Sequence, residues 1–271
     1  MKRKIPKRAA DYLLVDISNS YTKFAFSSEA RIERPARLPT KQLTAGGLRR
    51  VLEKRRVSLV VVSSVVPRMN PVVLRAASGT RVMFLNHRLN LGVGVRYPKP
   101  HSIGADRLAN AAAVAQLYGY PAIVVDFGTA VTFDVVSAKG DYVGGVIAPG
   151  LEAMTNFLYQ RTALLPKLNL REPVRAVGKT TRAAMMSGAI FGYRGLVHEI
   201  IVRIRAEAFG GRVPKIVATG GYARLIGNRL PEIAAIAPNL TLEGVRIIAN
   251  LNSRSESKRI QQRVRRSANR R

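Results

Sequence analysis

The sequence predicts an α/β fold made of two similar halves, and a repeated hairpin pattern is the main observation behind this prediction. Around Asp16, a short apolar strand, a polar turn and a second strand follow one another. The same order recurs 110 residues later around Asp126, and this alignment sets Thr22 against Thr132. The strands alternate with helix-like segments along the chain, which is typical of α/β proteins. We therefore expect a duplicated α/β architecture.

The first half begins with a strand over residues 12–15, which ends at Asp16, and a second strand over residues 23–26. Residues 57–66 are a β-branched run of the kind that forms a strand buried on both faces. Residues 108–117 are rich in Ala and predict a helix, which a Gly and a Pro end soon afterwards.

The second half repeats the hairpin with a strand over residues 122–125, which ends at Asp126. A helix is expected from about Leu151, and residues 185–208 predict a long helix. Residues 215–218 predict another buried strand, and a further helix starts after it.

The predicted domains are residues 10–118 and 119–252, flanked by basic, disordered tails at residues 1–9 and 253–271. Five of the first eight residues are Lys or Arg, and the second tail holds eight with a single acid. The whole chain carries a net charge of +29, more than half of it in the body. A surplus spread so widely is as consistent with solubility as with nucleic-acid binding. We therefore do not expect nucleic acid to be the main partner.

Composition argues against several kinds of site and location. With no cysteine, the chain has neither disulfides nor thiolate catalysis nor thiolate metal ligands. The three histidines lack the short spacing of a metal site. No apolar run approaches the roughly 20 residues that cross a bilayer. We expect a cytoplasmic protein with no membrane association.

The turn that follows Asp16 has the chemistry of a phosphate site. It offers backbone amides and short polar side chains, and Lys23 adds a positive charge. Its polar residues are Ser18, Asn19, Ser20 and Thr22. The simpler interpretation is that the Asp only starts a turn.

The turn that follows Asp126 could line the other side of the same phosphate site. Gly128 would let a phosphate approach the main chain, and Thr129 and Thr132 add hydroxyl groups. A carboxylate beside phosphates requires a cation between them, because two bare anions repel; Mg²⁺ or a monovalent ion meets this need. The presence of both turns favours phosphate binding over two unrelated turns.

A third candidate element is Gly104 Ala105 Asp106 Arg107, which precedes the Ala-rich helix. Its position puts the acid in the first helical turn, where an acid often only complements the helix dipole. The functional interpretation lets Asp106 accept a hydroxyl proton and Arg107 bind a substrate carboxylate. Adjacent helix residues do not share a face, so the two charges need not neutralise one another.

The order of these motifs resembles that of type III pantothenate kinases. The motifs are residues 16–23, 104–107 and 126–130, followed by Thr181 ahead of Met186 Ser187 Gly188. The resemblance covers about residues 10–252, including Leu242 Glu243 Gly244 Val245. It implies two ribonuclease-H-like α/β domains of the actin-like ATPase class, with an ATP site in an interdomain cleft, and usually a homodimer.

The resemblance also implies a role for each residue. Asp126 would be the ligand of a monovalent cation, K⁺ or NH₄⁺, and Asp106 would accept the proton of the pantothenate hydroxyl. The implied ATP contacts are Asp16, Ser18, Asn19, Ser20, Thr22, Lys23 and Thr129. The implied substrate contacts are Tyr97, Gly104, Ala105, Asp106, Arg107 and Thr181. The implied reaction is the ATP- and Mg²⁺-dependent phosphorylation of pantothenate to 4′-phosphopantothenate, the first step of coenzyme A biosynthesis.

Three positions depart from the family pattern. Ser18 and Ser20 stand where the first loop usually has Gly and Thr, and Thr180 stands where Asn commonly precedes Thr181. If the turn requires a positive φ at Ser18, the side chain would cost on the order of 1 kcal/mol. Two alternatives stay open: a non-catalytic nucleotide- or nucleic-acid-binding regulator on the same scaffold, and a kinase for another hydroxyl substrate.

Overall fold

The computed structural model describes residues 10–210 and 212–253, which form two compact units. The second unit consists of Gly94–Tyr97 and Val114–Leu240, and the other described residues form the first. This division differs from the predicted one in three segments, because residues 94–97 and 114–118 belong to the second unit and residues 241–252 to the first. A hydrogen bond joins the last of these segments to the first unit. The hydroxyl of Thr241 donates it to the buried side-chain oxygen of Asn110 at 2.9 Å.

The first unit contains a five-stranded sheet in the order β3-β2-β1-β4-β5. The strands β1, β2 and β3 pair antiparallel, whereas β1, β4 and β5 pair parallel. Side chains on both faces of β1 are fully buried, as expected for a central strand with cover on both sides. The strands are β1 (Ala10–Ile17), β2 (Tyr21–Ser27), β3 (Ala36–Pro39), β4 (Val57–Ser64) and β5 (Arg81–Phe84).

Four helices accompany this sheet along the chain. They are α1 (Ala45–Leu52), α2 (Asn70–Ala76), α3 (Ala105–Tyr118), whose last turn belongs to the second unit, and α7 (residues 240–253). Helix α7 lies against α3 at Gly244, where an added Cβ would stand 1.9 Å from the carbonyl oxygen of Ala109. Only glycine allows this approach, which holds α7 in the first unit.

The second unit contains a six-stranded sheet in the order β11-β10-β7-β8-β9-β6. The strands β7, β8 and β9 pair antiparallel, whereas β7, β10 and β11 pair parallel. The strands are β6 (Gly94–Val95), β7 (Ala122–Phe127), β8 (Ala130–Val136), β9 (Asp141–Pro149), β10 (Lys215–Gly220) and β11 (Ala235–Ile236). Its helices are α4 (Leu151–Arg161), α5 (Thr181–Ala208) and α6 (Ala223–Gly227).

Apart from β6, the two sheets have the same strand order and the same strand directions. In each, an antiparallel three-stranded meander is extended on one side by two parallel strands, which is the ribonuclease-H-like arrangement. The predicted duplicated fold is therefore confirmed. The predicted strands at residues 57–66 and 215–218 and the long helix at residues 185–208 are also confirmed as β4, β10 and α5.

Sequence patterns missed the short strands β3, β5, β6 and β11, because two to four residues are too few for a period-2 pattern. They also missed β9, in which Gly144 and Gly145 interrupt the apolar alternation. Ser253, assigned to a tail, is helical. The predicted disorder of residues 1–9 and of the rest of the second tail lies outside the described residues. No described helix combines the length and the hydropathy needed to cross a membrane.

Candidate active site

Asp16 lies one residue before the end of β1, and its neighbours on the adjacent strands face the same side of the sheet. It pairs with Lys23 across the antiparallel β1–β2 hairpin and with Ser63 on the parallel strand β4. Asp16 is 4 % exposed and Ser63 is fully buried, while Lys23 is partly buried. Asp16 is thus flanked by a lysine on one neighbouring strand and by a serine on the other.

The turn after Asp16 is held by Thr40, a buried residue that the sequence motifs did not reveal. The Thr40 hydroxyl donates to the carbonyl oxygen of Ser18 at 2.6 Å, and its amide donates to that of Ser20 at 3.0 Å. The same hydroxyl lies 3.1 Å from that of Thr22. Thr22 is fully buried and, by strand alternation, points to the opposite face from Asp16. The Thr22 side chain therefore stabilises the turn through its contact with Thr40, on the face of the sheet opposite to Asp16.

Ser18 fits its turn without backbone strain. Its amide donates to the carbonyl oxygen of Tyr21 at 3.1 Å, which closes a four-residue turn. Within the part of the chain that the structure describes, every residue with a positive φ is a glycine. The steric cost considered for Ser18 is therefore absent. Asn19 and Ser20, the predicted phosphate contacts at the tip, are exposed.

Asp126 occupies the equivalent place in the second sheet, one residue before the end of β7. It pairs with Thr132 on β8 and with Thr219 on β10. The alignment of Thr22 with Thr132 is wrong by one position, because the turn after Asp126 is one residue shorter. Thr132 stands opposite Asp126 as Lys23 stands opposite Asp16.

Glycines surround this second turn closely. A Cβ added to Gly150 would lie 2.2 Å from the carbonyl oxygen of Thr129, and the Gly150 amide donates to that oxygen at 3.1 Å. Gly220 has a φ of +92°, and a Cβ there would lie 2.6 Å from Oδ1 of Asp126. Thr129, the predicted ATP contact, is exposed. At Gly150 and Gly220 the backbone therefore lies so close to the turn and to the Asp126 carboxylate that no side chain would fit.

The residues around Asp126 fit a cation that prefers oxygen ligands. Asp126, Thr132 and Thr219 lie side by side on three adjacent strands and offer a carboxylate and two hydroxyls to one face. Across residues 10–210 and 212–253, no group of three Asp, Glu, His or Cys side chains could hold a metal ion. A cation at Asp126 would therefore need hydroxyl, backbone or ligand oxygens besides the carboxylate.

Ser63 and Thr219 were missed by the sequence motifs, although both leave a signal. Each is a polar residue near the end of an otherwise apolar, buried parallel strand. The hydroxyl of each is inaccessible to solvent and has no hydrogen-bond partner among the described residues. Because an unsatisfied buried hydroxyl costs about 1–3 kcal/mol, each stands out as a candidate contact for a bound group.

The segment from Gly104 to Arg107 forms the start of α3. The amide of Arg107 donates to Oδ1 of Asp106 at 2.8 Å, and both residues are partly buried. A Cβ on Gly104 would stand 2.5 Å from that same Oδ1. Glycine at 104 therefore leaves room for the Asp106 carboxylate to fold over the helix start. Ala105, the remaining predicted contact, is buried in the same turn.

The start of α3 adjoins the edge of the sheet where Asp16 lies. The Cβ position of Gly104 is 3.4 Å from the side chain of Val65, which directly follows β4. The amide of Val65 in turn donates to the carbonyl oxygen of Ile17, at the end of β1, at 3.1 Å. Two predicted elements that are some 90 residues apart in the chain therefore meet within the first unit.

The other two predicted substrate contacts, Tyr97 and Thr181, lie in the second unit. The partly buried ring of Tyr97 packs at a tilt against Tyr142, with 6.2 Å between ring centres. Thr181 is exposed at the first position of α5. Thr180 caps that helix, since its hydroxyl accepts the amide of Ala183 at 3.2 Å. Threonine thus performs at 180 the capping that asparagine also performs well.

An ion pair fastens the loop that leads to Thr181. The guanidinium of Arg194, which is 9 % exposed, donates to both carboxylate oxygens of Glu172 at 2.9 and 2.6 Å. The hydrogen bond from Arg194 lowers the pKa of Glu172 below its usual value. Arg194 also donates to the carbonyl oxygen of Leu225 at 2.7 Å. The loop is thereby tied to α5 and α6.

Comparison with known sequences agrees with this arrangement of motifs. The family model described as type III pantothenate kinase matches residues 12–203. This chain belongs to the type III pantothenate kinase family. The type III pantothenate kinase of Akkermansia muciniphila is 49 % identical over 242 residues, which cover 89 % of this chain and 99 % of that one. The one from Methylacidiphilum infernorum is 41 % identical over 241 residues, 88 % of either chain.

Solved structures of lower identity share the fold of this family member. One described as a Baf family transcriptional activator from Campylobacter jejuni aligns with a TM-score of 0.59 and 20 % identity, over 89 % of this chain and 99 % of that one. The activator of 2-hydroxyisocaproyl-CoA dehydratase from Clostridium difficile, with bound ADPNP, aligns with a TM-score of 0.52 and 13 % identity, over 93 % and 97 %. At these identities the likeness supports the fold alone.

Proposed function

We propose that this protein phosphorylates pantothenate with ATP to give 4′-phosphopantothenate, the first step of coenzyme A biosynthesis. The observation that carries the proposal is the meeting of the α3 start, with Asp106 and Arg107, and the edge of the first sheet that bears Asp16. In a type III pantothenate kinase, this meeting brings a candidate substrate segment to a candidate phosphate turn.

The reaction transfers the γ-phosphoryl group of ATP to the pantothenate hydroxyl. The hydroxyl oxygen forms a bond to the γ-phosphorus while the bond from that phosphorus to the β,γ-bridging oxygen breaks, and ADP leaves. Asp106 accepts the hydroxyl proton, and its place in the first turn of α3 fixes the carboxylate against the Arg107 amide. Phosphoryl transfer depends chiefly on positioning and charge neutralisation, so the base shares the work with the phosphate turns.

The remaining predicted residues have binding and positioning roles in this proposal. Arg107 binds the pantothenate carboxylate, and Tyr97 and Thr181 contact the rest of the substrate. Ser18, Asn19, Ser20, Lys23 and Thr129 contact ATP through their side chains or backbone amides. Thr22 acts from within the protein, because its buried hydroxyl contacts Thr40 and so supports the turn.

Two kinds of cation take part in the proposed reaction. Asp16 would hold the Mg²⁺ of the ATP complex, which would neutralise charge on the phosphates, and Asp126 would hold a monovalent cation, K⁺ or NH₄⁺. The hydroxyl-rich surroundings of Asp126 support the second assignment. Asp126 offers one negative charge, which matches the single charge of a monovalent ion.

We also propose that the protein is a cytoplasmic homodimer. Helix α4 supports the dimer, because it exposes a group of large apolar side chains of the kind that marks interaction surfaces. Its exposed apolar residues are Met154, Phe157, Leu158 and Tyr159. Sedimentation velocity of the purified chain tests this assignment, and a monomer at micromolar concentration would contradict it.

A coupled assay for ADP release tests the proposed function. The purified protein should turn over pantothenate only when Mg²⁺ and K⁺ are both present. Asp106→Asn should lower kcat by about 100-fold or more and leave the Kd for pantothenate nearly unchanged, because the proton acceptor is lost and the binding groups remain.

Asp11→Asn is the matched control, since Asp11 is an exposed acid that accepts the amide of Glu29 at 2.9 Å. It should leave kcat unchanged. An unchanged kcat in Asp106→Asn would remove Asp106 from its role. No turnover of pantothenate by the folded wild-type chain would instead favour the non-catalytic regulator or a kinase for another hydroxyl substrate.

A further inference from the structure

We propose that Thr132 and Thr219 are, together with Asp126, side-chain ligands of the monovalent cation. This inference rests on the cation of the proposed function and extends it from one residue to a site of three. The three residues stand in one row across β8, β7 and β10, with Asp126 in the middle. Residues paired in this way point to the same face of a sheet.

The state of the Thr219 hydroxyl is the strongest support. Thr219 is 1 % exposed, and its Oγ1 has no hydrogen-bond partner among the described residues. A valine would have the same shape and no such cost, so the threonine is explained by a group that binds its oxygen after a small shift of the side chain opens that oxygen, which is closed to solvent in this structure. A cation held by the neighbouring carboxylate is such a group.

The Asp126 carboxylate lies close to the end of β10, where Thr219 is located. Its Oδ1 lies 2.6 Å from the place where a Cβ on Gly220 would stand, and Gly220 directly follows Thr219. The positive φ of Gly220 makes this place available to the carboxylate. The carboxylate and the Thr219 side chain are therefore at the same end of the β7–β10 pair.

The equivalent row in the first sheet explains why the cation binds in the second unit. There, Lys23 stands opposite Asp16, in the place that Thr132 has opposite Asp126. A lysine side chain offers no oxygen ligand, so this row lacks the third oxygen that Thr132 supplies beside Asp126. Ser63 resembles Thr219 in burial, but the charge of Lys23 distinguishes the two rows.

The charge of the row favours a monovalent ion over Mg²⁺. Asp126 is the one charged group of the row, and its two neighbours offer neutral hydroxyls that each contribute a single oxygen. Mg²⁺ requires near-octahedral ligands at about 2.0–2.1 Å. A single carboxylate with two neutral hydroxyls also matches a single positive charge.

The test measures cation binding without turnover. Thermal unfolding of the full chain is followed with Mg²⁺ and a non-hydrolysable ATP analogue while K⁺ replaces tetramethylammonium at constant ionic strength. Thr219→Val and Thr132→Val should each raise the K⁺ concentration at half-maximal stabilisation by about tenfold. In the absence of ligands, Thr219→Val should melt at the wild-type temperature or above, because no hydrogen bond is lost.

Two variants serve as controls. Thr155→Val removes a buried hydroxyl that is already bonded to the carbonyl oxygen of Leu151 at 3.1 Å. It should lower the melting temperature without ligands and leave the K⁺ midpoint unchanged. Ser63→Ala removes the equivalent hydroxyl beside Asp16 and should also leave the K⁺ midpoint unchanged.

An unchanged K⁺ midpoint in both threonine variants would overturn the inference, as would a wild-type protein with no response to K⁺. An equal shift in Ser63→Ala would overturn it too, since the effect would not belong to the Asp126 row. Failure of the proposed function appears separately, as absent pantothenate turnover by a protein that still binds K⁺ at Asp126.

Discussion

The two Asp-centred turns have the same place in equivalent sheets, yet different chemistry holds each in shape. The first turn contains no glycine from Ser18 to Tyr21, and the buried side chain of Thr40 holds it from outside. The second is held by backbone approach, with Gly150 and Gly220 packed where side chains would not fit. The first turn is therefore held by hydrogen bonds that include a side chain, and the second by closely packed backbone with backbone hydrogen bonds.

The same comparison distinguishes how each carboxylate is neutralised. Asp16 has the ammonium of Lys23 on the neighbouring strand, whereas Asp126 has a hydroxyl at that position. A duplicated fold has thus kept the acid in both halves while the residue across the hairpin changed. The difference teaches that the two acids need not have the same role, because a lysine stands opposite one acid and a neutral threonine stands opposite the other.

Substitution of each acid by Asn should have the largest effect on turnover and should distinguish the role of Asp126 from that of Asp16. Asp126→Asn is expected to remove activation by K⁺ and to lower turnover on the order of 100-fold, because the only charged ligand in the row is lost. Asp16→Asn should weaken binding of Mg²⁺ with ATP while the remaining activity still responds to K⁺. Turnover against K⁺ concentration and calorimetry with an ATP analogue measure both. Equal loss of the K⁺ response in the two variants would break the comparison.

Gly220→Ala should be the most destabilising of the remaining changes. A Cβ at Gly220 would stand 2.6 Å from Asp126 Oδ1 and from backbone atoms of Phe127, at a φ of +92°. We expect the free energy of unfolding in urea to fall by about 2–4 kcal/mol. Gly221→Ala is the matched control, since nothing lies within 4 Å of its Cβ position. A similar loss in both variants would contradict the special role of Gly220.

Thr40→Val tests the hydrogen bonds of the first turn. It leaves the carbonyl oxygen of Ser18 and the hydroxyl of Thr22 without this partner. The expected loss is about 1–2 kcal/mol in the free energy of unfolding, together with weaker ATP binding and an unchanged K⁺ midpoint. Thr22→Val removes only the shared bond and should cost less. A shift of the K⁺ midpoint in Thr40→Val would show that the two turns are not separate in function.

Ser18→Gly should have the smallest effect. Because Ser18 does not adopt a positive φ, the family's usual glycine would relieve no strain here. The glycine would add freedom to the unfolded chain and lower stability by about 0.5–1 kcal/mol. Calorimetry with the ATP analogue should show no gain in affinity. Tighter binding in this variant would mean that the Ser18 side chain does obstruct the phosphates.

Contiguous motifs explain how much of the site could be predicted. Asp16 with its turn, Asp126 with its turn and the segment from Gly104 to Arg107 are each short stretches in which neighbours in sequence are neighbours in space. Their order also indicated the family. The repeated hairpin likewise predicted the duplicated fold, because local strand, turn and strand patterns specify a hairpin without distant contacts.

The register of the strands could not be obtained in the same way. Aligning Thr22 with Thr132 assumed equal turns, and one residue fewer in the second turn moves every partner by one position and to the opposite face. That change puts Lys23 opposite one acid and Thr132 opposite the other. The small difference in length therefore decides the local charge at each site.

The sequence by itself indicated the fold class, the two acids and the candidate segment from Gly104 to Arg107, because these depend on local patterns. Only the tertiary structure placed Ser63 beside Asp16 and Thr219 beside Asp126. Parallel pairing joins strands that are distant in the chain, and the hydrophobic pattern of a strand buried on both faces does not specify its register. For that reason the acids were visible from the sequence, whereas the hydroxyls that complete their surroundings were not.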